Sequence, residues 1–115
     1  MEPEKLRIAH REFGADGAAV ELSGPIMIGS GSELIEQLTT ELLGQGKRII
    51  VFDLSGVTAL DSTGIGQFIS SYNQIGAAGG EMRLAAASAR VLHALHVNRL
   101  DSIFPLYPTV QDAGA

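Results

Sequence analysis

The apolar positions change period several times along the chain, and each change predicts an element. Leu6 and Ile8 alternate with Arg7, the period of a half-buried strand. Residues 13–17, Phe-Gly-Ala-Asp-Gly, read as a turn, so a second strand over 18–23 completes a hairpin that Gly24-Pro25 ends. Ile26-Met27-Ile28 is a short apolar piece of undefined type, followed by Gly29-Ser30-Gly31-Ser32. Ser32 is a predicted helix N-cap, with Glu33 and Glu36 placing negative charge near the positive helix end. Leu34, Ile35, Leu38, Leu42 and Leu43 then form a helical stripe that stops at Gly44-Gln45-Gly46.

The unbroken run Ile49-Ile50-Val51-Phe52 predicts a central strand buried on both faces, ending at Asp53 and the turn signal Ser55-Gly56. Ile65, Phe68, Ile69, Tyr72 and Ile75 recur at helical spacing, which predicts a helix from Ser62 to about residue 78, closed by Gly79-Gly80. Its outer side would carry Gln67, Ser70, Ser71 and Gln74. Residues 81–86 predict a further strand with Met82 and Leu84 on one side, and Ser88 caps a helix bearing Val91, Leu92 and Leu95. Ile103-Phe104 predicts a last short strand trimmed by Pro105 and Pro108, with residues 109–113 opening a final helix. The order is β-β-α-β-α-β-α-β. Strands joined through helices should be parallel and the opening hairpin antiparallel. The predicted class is α/β, a small mixed sheet packed against helices, in one domain over residues 1–115.

Composition narrows the function. A net charge of −5 with 8 basic residues leaves no basic stripe to replace phosphate counterions, and 5% aromatics leave little for base stacking. No nucleic-acid partner is expected. No apolar run approaches the roughly 20 residues of a membrane span, so no membrane insertion is expected. The charged start MEPEKLRIAHREF is unlike a secretory leader, and the absence of cysteine fits a reducing compartment, so the cytoplasm is the expected location.

Known catalytic and cofactor motifs are missing. Gly29-Ser30-Gly31 and Gly64-Ile65-Gly66 each give two glycines of G-x-G-x-x-G, but Leu34 and Ile69 stand at the third position, and Lys47 lacks a Walker context. There is no G-x-S-x-G elbow, and Ser62 has no base tied to it in sequence. His93 and His96 are three apart, but no carboxylate completes a ligand set with them or with His10. The sequence predicts no cofactor, no metal and no enzyme activity. What remains is Asp61-Ser62-Thr63-Gly64-Ile65-Gly66, where a strand feeds a helix, the place where open α/β sheets carry their working residues. Asp61 or Ser62 serves as N-cap, and a serine there is also a position where added phosphate faces unpaired N–H groups.

The segment FDLSGVTALDSTGIGQFISSYNQIGAAGGEMRL resembles the STAS domains of bacterial anti-sigma factor antagonists. In that family a buried strand ends in an acidic or polar residue. A turn leads to Asp-Ser-(Ser/Thr)-Gly-(Leu/Ile)-Gly at a helix start, and Gly-Gly precedes the next strand. Asp53, residues 61–66 and Gly79-Gly80 stand here in that order. The loop that adjoins the binding face departs from the family's usual acidic pattern, reading Gly24-Pro25-Ile26-Met27.

The resemblance implies a non-catalytic domain phosphorylated at Ser62. Its partner-binding residues would be Asp61, Ser62, Thr63, Gly64, Gly66, Gln67, Ser71 and Met27. Its partners would be an anti-sigma factor with serine kinase activity, which holds the nucleotide, and a serine phosphatase. Two other functions fit the sequence: a STAS scaffold or regulatory subunit of a signalling complex or lipid transporter, and a small enzyme or ligand binder using a pocket near residues 24–31 and 61–66.

Overall fold

A computed structural model describes residues 4–115, so residues 1–3 of the charged start lie outside the described residues. The elements run β1 (Arg7–Phe13), β2 (Gly17–Ile26), α1 (Glu33–Gly44), β3 (Ile49–Leu60), α2 (Ser62–Ala77), β4 (Glu81–Ala85), α3 (Ala89–Val97), a single 3-10 turn (Leu100–Ser102) and β5 (Leu106–Tyr107). The strands form one sheet in the order β1-β2-β3-β4-β5. Only the β1–β2 hairpin is antiparallel; β2–β3, β3–β4 and β4–β5 are parallel, as connections through helices require. The mixed α/β class and the element order are those read from the sequence, with β3 at the centre.

Because successive strand residues point to opposite faces, the sheet divides its apolar residues between two cores. On one face Ala18, Val20 and Leu22 of β2, Ile50, Phe52 and Leu54 of β3, and Met82 and Leu84 of β4 meet all three helices. The helices contribute Ile35 and Leu42, then Ile65, Phe68 and Ile75, then Val91 and Leu95. The Phe52 and Phe68 rings meet edge to face at 5.5 Å between centroids. On the other face Val51 and Ala85 pack with Ala113, bordered by Phe13, Ile49, Tyr107 and Val110. Among the described residues no helix is long and apolar enough to cross a membrane.

Several boundaries differ from the sequence reading, each for a physical reason. β3 does not stop at Asp53 but runs seven residues further to Leu60, and β2 runs through Gly24-Pro25 to Ile26. The parallel register shifts between Glu21 and Ser23 and again between Gly24 and Pro25, so Ser55-Gly56 lies in an irregularity of a continuing strand. The Asp53 carboxylate accepts the Ser55 N–H at 3.0 Å, which holds that irregularity. A Cβ on Gly56 would stand 2.7 Å from Ser23 Oγ, so the glycine serves a close strand approach rather than a turn. Proline is tolerated at position 25 because the ladder slips there.

Ser32 precedes α1, but its backbone is already helical (φ −60°, ψ −23°) and its hydroxyl caps nothing. A capping side chain needs an extended backbone to reach the first-turn N–H groups. Ile103 is exposed and the last strand sits at Leu106–Tyr107, because Phe104 turns inward after the 3-10 turn and Pro105 lends its carbonyl to Leu84 N–H. Residues 109–115 form hydrogen-bonded turns instead of a helix, and they seat Ala113 on the second face.

Candidate functional site

The C-terminal ends of β2 and β3 lie side by side, with Ile26 paired to Leu60, and both chain segments leave the sheet there. One becomes the loop of residues 27–32 and the other enters α2 directly. Asp61 is the α2 N-cap: its backbone is extended (φ −107°, ψ −175°) and its Oδ1 accepts the Gly64 N–H at 2.9 Å. The second oxygen, Oδ2, accepts the Ile28 N–H, also at 2.9 Å. One carboxylate therefore joins the start of α2 to the neighbouring loop. Desolvation by the surrounding chain raises the Asp61 pKa, but the hydrogen bonds from the backbone N–H groups of Ile28, Gly64 and Thr63 and its own outweigh that and hold it below the ordinary carboxylate value. The group is a fixed anion at neutral pH.

Ser62 is the first residue of α2, and both it and Thr63 are exposed. Its hydroxyl is thus an accessible nucleophile at a helix N-terminus, beside an anion. Gly64 and Gly66, alike in the sequence, differ in the structure. A Cβ on Gly64 would collide with the Ile26 carbonyl oxygen and approach Ile26 Cγ2 and Leu60 Cδ1 at 2.7 Å, so this glycine lets α2 dock on the ends of β2 and β3. It is buried and faces its own chain. Gly66 is exposed, with nothing within 4 Å of its Cβ direction.

The other expected contact residues fall in different surroundings. Met27 is half-buried in the 27–32 loop on the same edge of the sheet. Gln67 is half-buried and its Oε1 accepts the Glu36 N–H at 3.2 Å, so a side chain of α2 serves the first turn of α1 where Ser32 does not. Ser71 is not on the outer side of α2: it is fully buried (0% exposed), and its hydroxyl meets Thr39 Oγ1 at 3.2 Å. The α2 stripe is rotated from the sequence reading. Ile69 is 39% exposed, while Ser71 takes a buried place because Thr39 offers it a partner. Leu34 and Leu92 are likewise exposed members of their stripes. Each stripe is wider than the surface its helix buries.

The reading of the sequence did not single out Ile28, which the structure brings next to Asp61. Ile28 is 78% exposed and hydrogen-bonded through its N–H to the residue before Ser62. The available signal was a large apolar residue beside a Gly-Ser-Gly loop with no strand or helix period to bury it. An open cleft of about 680 Å³ lies beside it, lined by residues that include Pro25, Met27, Ser30, Thr58 and Arg90. Residues of the 24–31 region expected for a pocket line it, but residues 61–66 do not. Among the described residues no group of three or more His, Cys, Asp or Glu side chains is placed to hold a metal ion.

Comparison with known proteins agrees with this architecture. The STAS domain family model matches residues 12–113. A curated relative from Thermotoga neapolitana, named as a candidate anti-sigma factor antagonist, is 30% identical over 73 residues. That match covers 64% of this chain and 65% of the relative, just under two thirds of its length. The crystal structure of an anti-sigma factor antagonist from Mycobacterium paratuberculosis superposes with a TM-score of 0.82 at 29% identity, covering 96% of this chain and 92% of the other. A candidate antagonist from Thermotoga maritima shares the fold, with a TM-score of 0.83 at 23% identity over 93% of this chain and 91% of its own. With a family model spanning strands β2 to β5, all three helices and the Asp61–Gly66 segment, this chain belongs to the STAS domain family.

Proposed function

We propose that the protein is an anti-sigma factor antagonist working by partner exchange, controlled by phosphorylation of Ser62. The form with a free Ser62 hydroxyl binds an anti-sigma factor that is also a serine kinase, and so frees a sigma factor in the cytoplasm. Phosphorylation releases the complex, and a serine phosphatase restores binding. In this reading the domain catalyses nothing itself, and the nucleotide belongs to the kinase. Family membership and the names of its relatives support the role. The observation that carries the mechanism is the exposed Ser62 hydroxyl at the first position of α2, next to the Asp61 anion.

A phosphate on Ser62 adds a charge of about −1.5 to −2 at neutral pH. The positive end of α2 favours it, while the ionised Asp61 opposes it, so the fold changes little in stability. A partner lying over Ser62, Thr63 and Gly66 has no such compensation. It would have to bury a dianion without a partner charge, which costs several kcal/mol and lowers affinity by orders of magnitude. Ser62, Thr63, Gly66, Gln67 and Met27 remain the proposed contacts, while Asp61, expected among them, has both carboxylate oxygens engaged by backbone N–H groups and holds the segment in place. Gly64 supports the contact set from inside, and Ser71, being buried, leaves it.

The test is a titration of the wild type, Ser62→Ala and Ser62→Asp with the serine-kinase anti-sigma factor of the same genome, beside thermal melts. Ser62→Ala should bind and resist inactivation by ATP. Ser62→Asp should bind weakly with a near-normal Tm. If Ser62→Ala still takes up phosphate and dissociates, another residue is the switch.

A further inference from the structure

Ile28 has little to do inside the fold, yet the loop that carries it is tied down on every side. The Met27 N–H donates to Ser30 Oγ at 3.1 Å and the Ser30 hydroxyl donates back to the Met27 carbonyl at 2.7 Å. The Leu6 N–H donates to the Ser30 carbonyl at 2.9 Å, and Lys5 Nζ donates to the Gly29 carbonyl at 3.1 Å. Gly29 and Gly31, at φ +81° and +92°, supply the left-handed turns that this geometry needs. On the other side the Ile28 N–H is held by Asp61 Oδ2. Ser30, which organises the loop, is itself only 4% exposed.

The result is a large apolar side chain carried into solvent on a hydrogen-bonded backbone. Exposing it forgoes the hydrophobic gain of burial, and nothing in the core depends on it. A backbone held in this way does help association, because little of its conformational freedom is then lost on binding. Well-packed apolar anchors of this kind carry a large share of interface energy. The position is also specific: one carboxylate fixes both Ile28 and the start of α2, where Ser62 stands. Ile28 is thus fixed next to the residue that precedes Ser62, and the cleft borders Ile28 on the side of Thr58 and Arg90.

We propose that Ile28 is an apolar anchor for the anti-sigma factor, inserted into an apolar pocket of that protein, and that Asp61 is its positioning residue. This rests on the function proposed above and adds the recognition element. Asp61 acts through the loop: its cap on Gly64 serves α2, and its bond to Ile28 sets where the anchor stands relative to Ser62.

The two roles separate by substitution. Ile28→Ser removes the anchor and leaves the loop backbone able to make the same bonds. Asp61→Ser keeps a good N-cap for α2 but is too short to hold the Ile28 N–H as well. The measurements are titrations of the wild type, both single variants and the double variant with the serine-kinase anti-sigma factor of the same genome. Thermal melts and amide hydrogen exchange at Ile28 accompany them. Ile28→Ser should weaken binding about thirtyfold or more with an unchanged Tm, the loss expected of an interface anchor. Asp61→Ser should speed Ile28 exchange about tenfold or more and weaken binding, and the double variant should be little worse than Ile28→Ser alone. Wild-type affinity in Ile28→Ser overturns the anchor. Additive losses in the double variant, or unchanged Ile28 exchange in Asp61→Ser, overturn the positioning role. If the wild type binds no anti-sigma factor, the proposed function falls and the anchor's partner falls with it. If it binds and Ile28→Ser binds equally well, only the present inference is lost.

Discussion

At the scale of single residues, the two glycines of the Asp61–Gly66 segment carry opposite instructions. Gly64→Ala drives a methyl group into the Ile26 backbone carbonyl, with the Ile26 and Leu60 side chains crowding it as well. We expect a loss of about 1–3 kcal/mol, the usual cost of overpacking. Gly66→Ala meets open space within a helix, so it should gain about 0.5–1 kcal/mol from helix propensity alone. Urea unfolding of the two variants checks this, and equal shifts of the same sign would refute the assignment of Gly64 to internal packing. Asp61 gives a pH signature. Its pKa is lower folded than unfolded, so its stabilisation is full above the unfolded value of about 4 and is lost as pH falls through the folded value. The stability gap between the wild type and Asp61→Asn should therefore be flat above about pH 5 and narrow below about pH 4. A gap that widens on acidification would mean the carboxylate is not held as an anion.

At the scale of elements, α1 and α2 are joined to each other by side-chain hydrogen bonds as well as packed on the sheet. Gln67 reaches the Glu36 N–H, Ser71 reaches Thr39, and Gln74 Nε2 donates to Thr40 Oγ1 at 2.6 Å. Thr39 Oγ1 also donates to the Ile35 carbonyl at 2.8 Å, so the buried hydroxyls are satisfied. Phe68, fully buried against Phe52, holds the pair down on the sheet. Phe68→Ala should cost about 3–5 kcal/mol, since it removes a large side chain and leaves a cavity. Gln67→Ala should cost about 0.5–1.5 kcal/mol, the worth of one hydrogen bond. Chemical denaturation of the two variants gives the ratio, and comparable losses would mean that the register of α2 on the sheet is not the one described. The helical period was legible in the sequence, but its phase was not. A stripe of Ile65, Phe68, Ile69 and Tyr72 does not reveal that Ser71 goes in and Ile69 goes out. That depends on a threonine 32 residues away.

At the scale of the whole molecule, the second face of the sheet depends on the last residues described. Arg83 Nη1 donates to the Ala113 carbonyl at 2.8 Å, and Ala113 covers Val51 and Ala85. Removing residues 109–115 should cost about 1–3 kcal/mol through lost apolar burial and that bond. The helix-covered core should survive, so the truncated chain should still unfold cooperatively, only at lower urea. A truncated chain as stable as the full one would show that this segment holds nothing. By itself the sequence determined the order of the strands and of the three helices up to residue 97, because apolar period and turn residues are local properties that any α/β fold must satisfy. Past that point the expected final helix is a set of turns and the last strand lies further on. The sequence also marked Asp61 and Ser62, since a polar turn feeding a helix is readable without knowing what surrounds it. Only tertiary structure decided how far β2 and β3 extend past Gly24-Pro25 and Ser55-Gly56, because ladder hydrogen bonds from a neighbouring strand overrode those local stop signals. It also decided that Gly64 faces inward, that Gln67 rather than Ser32 serves the first turn of α1, and that Ile28 stands in solvent with its N–H on Asp61. Each of these is a contact between segments distant in the chain, and local pattern carries no information about which segments meet.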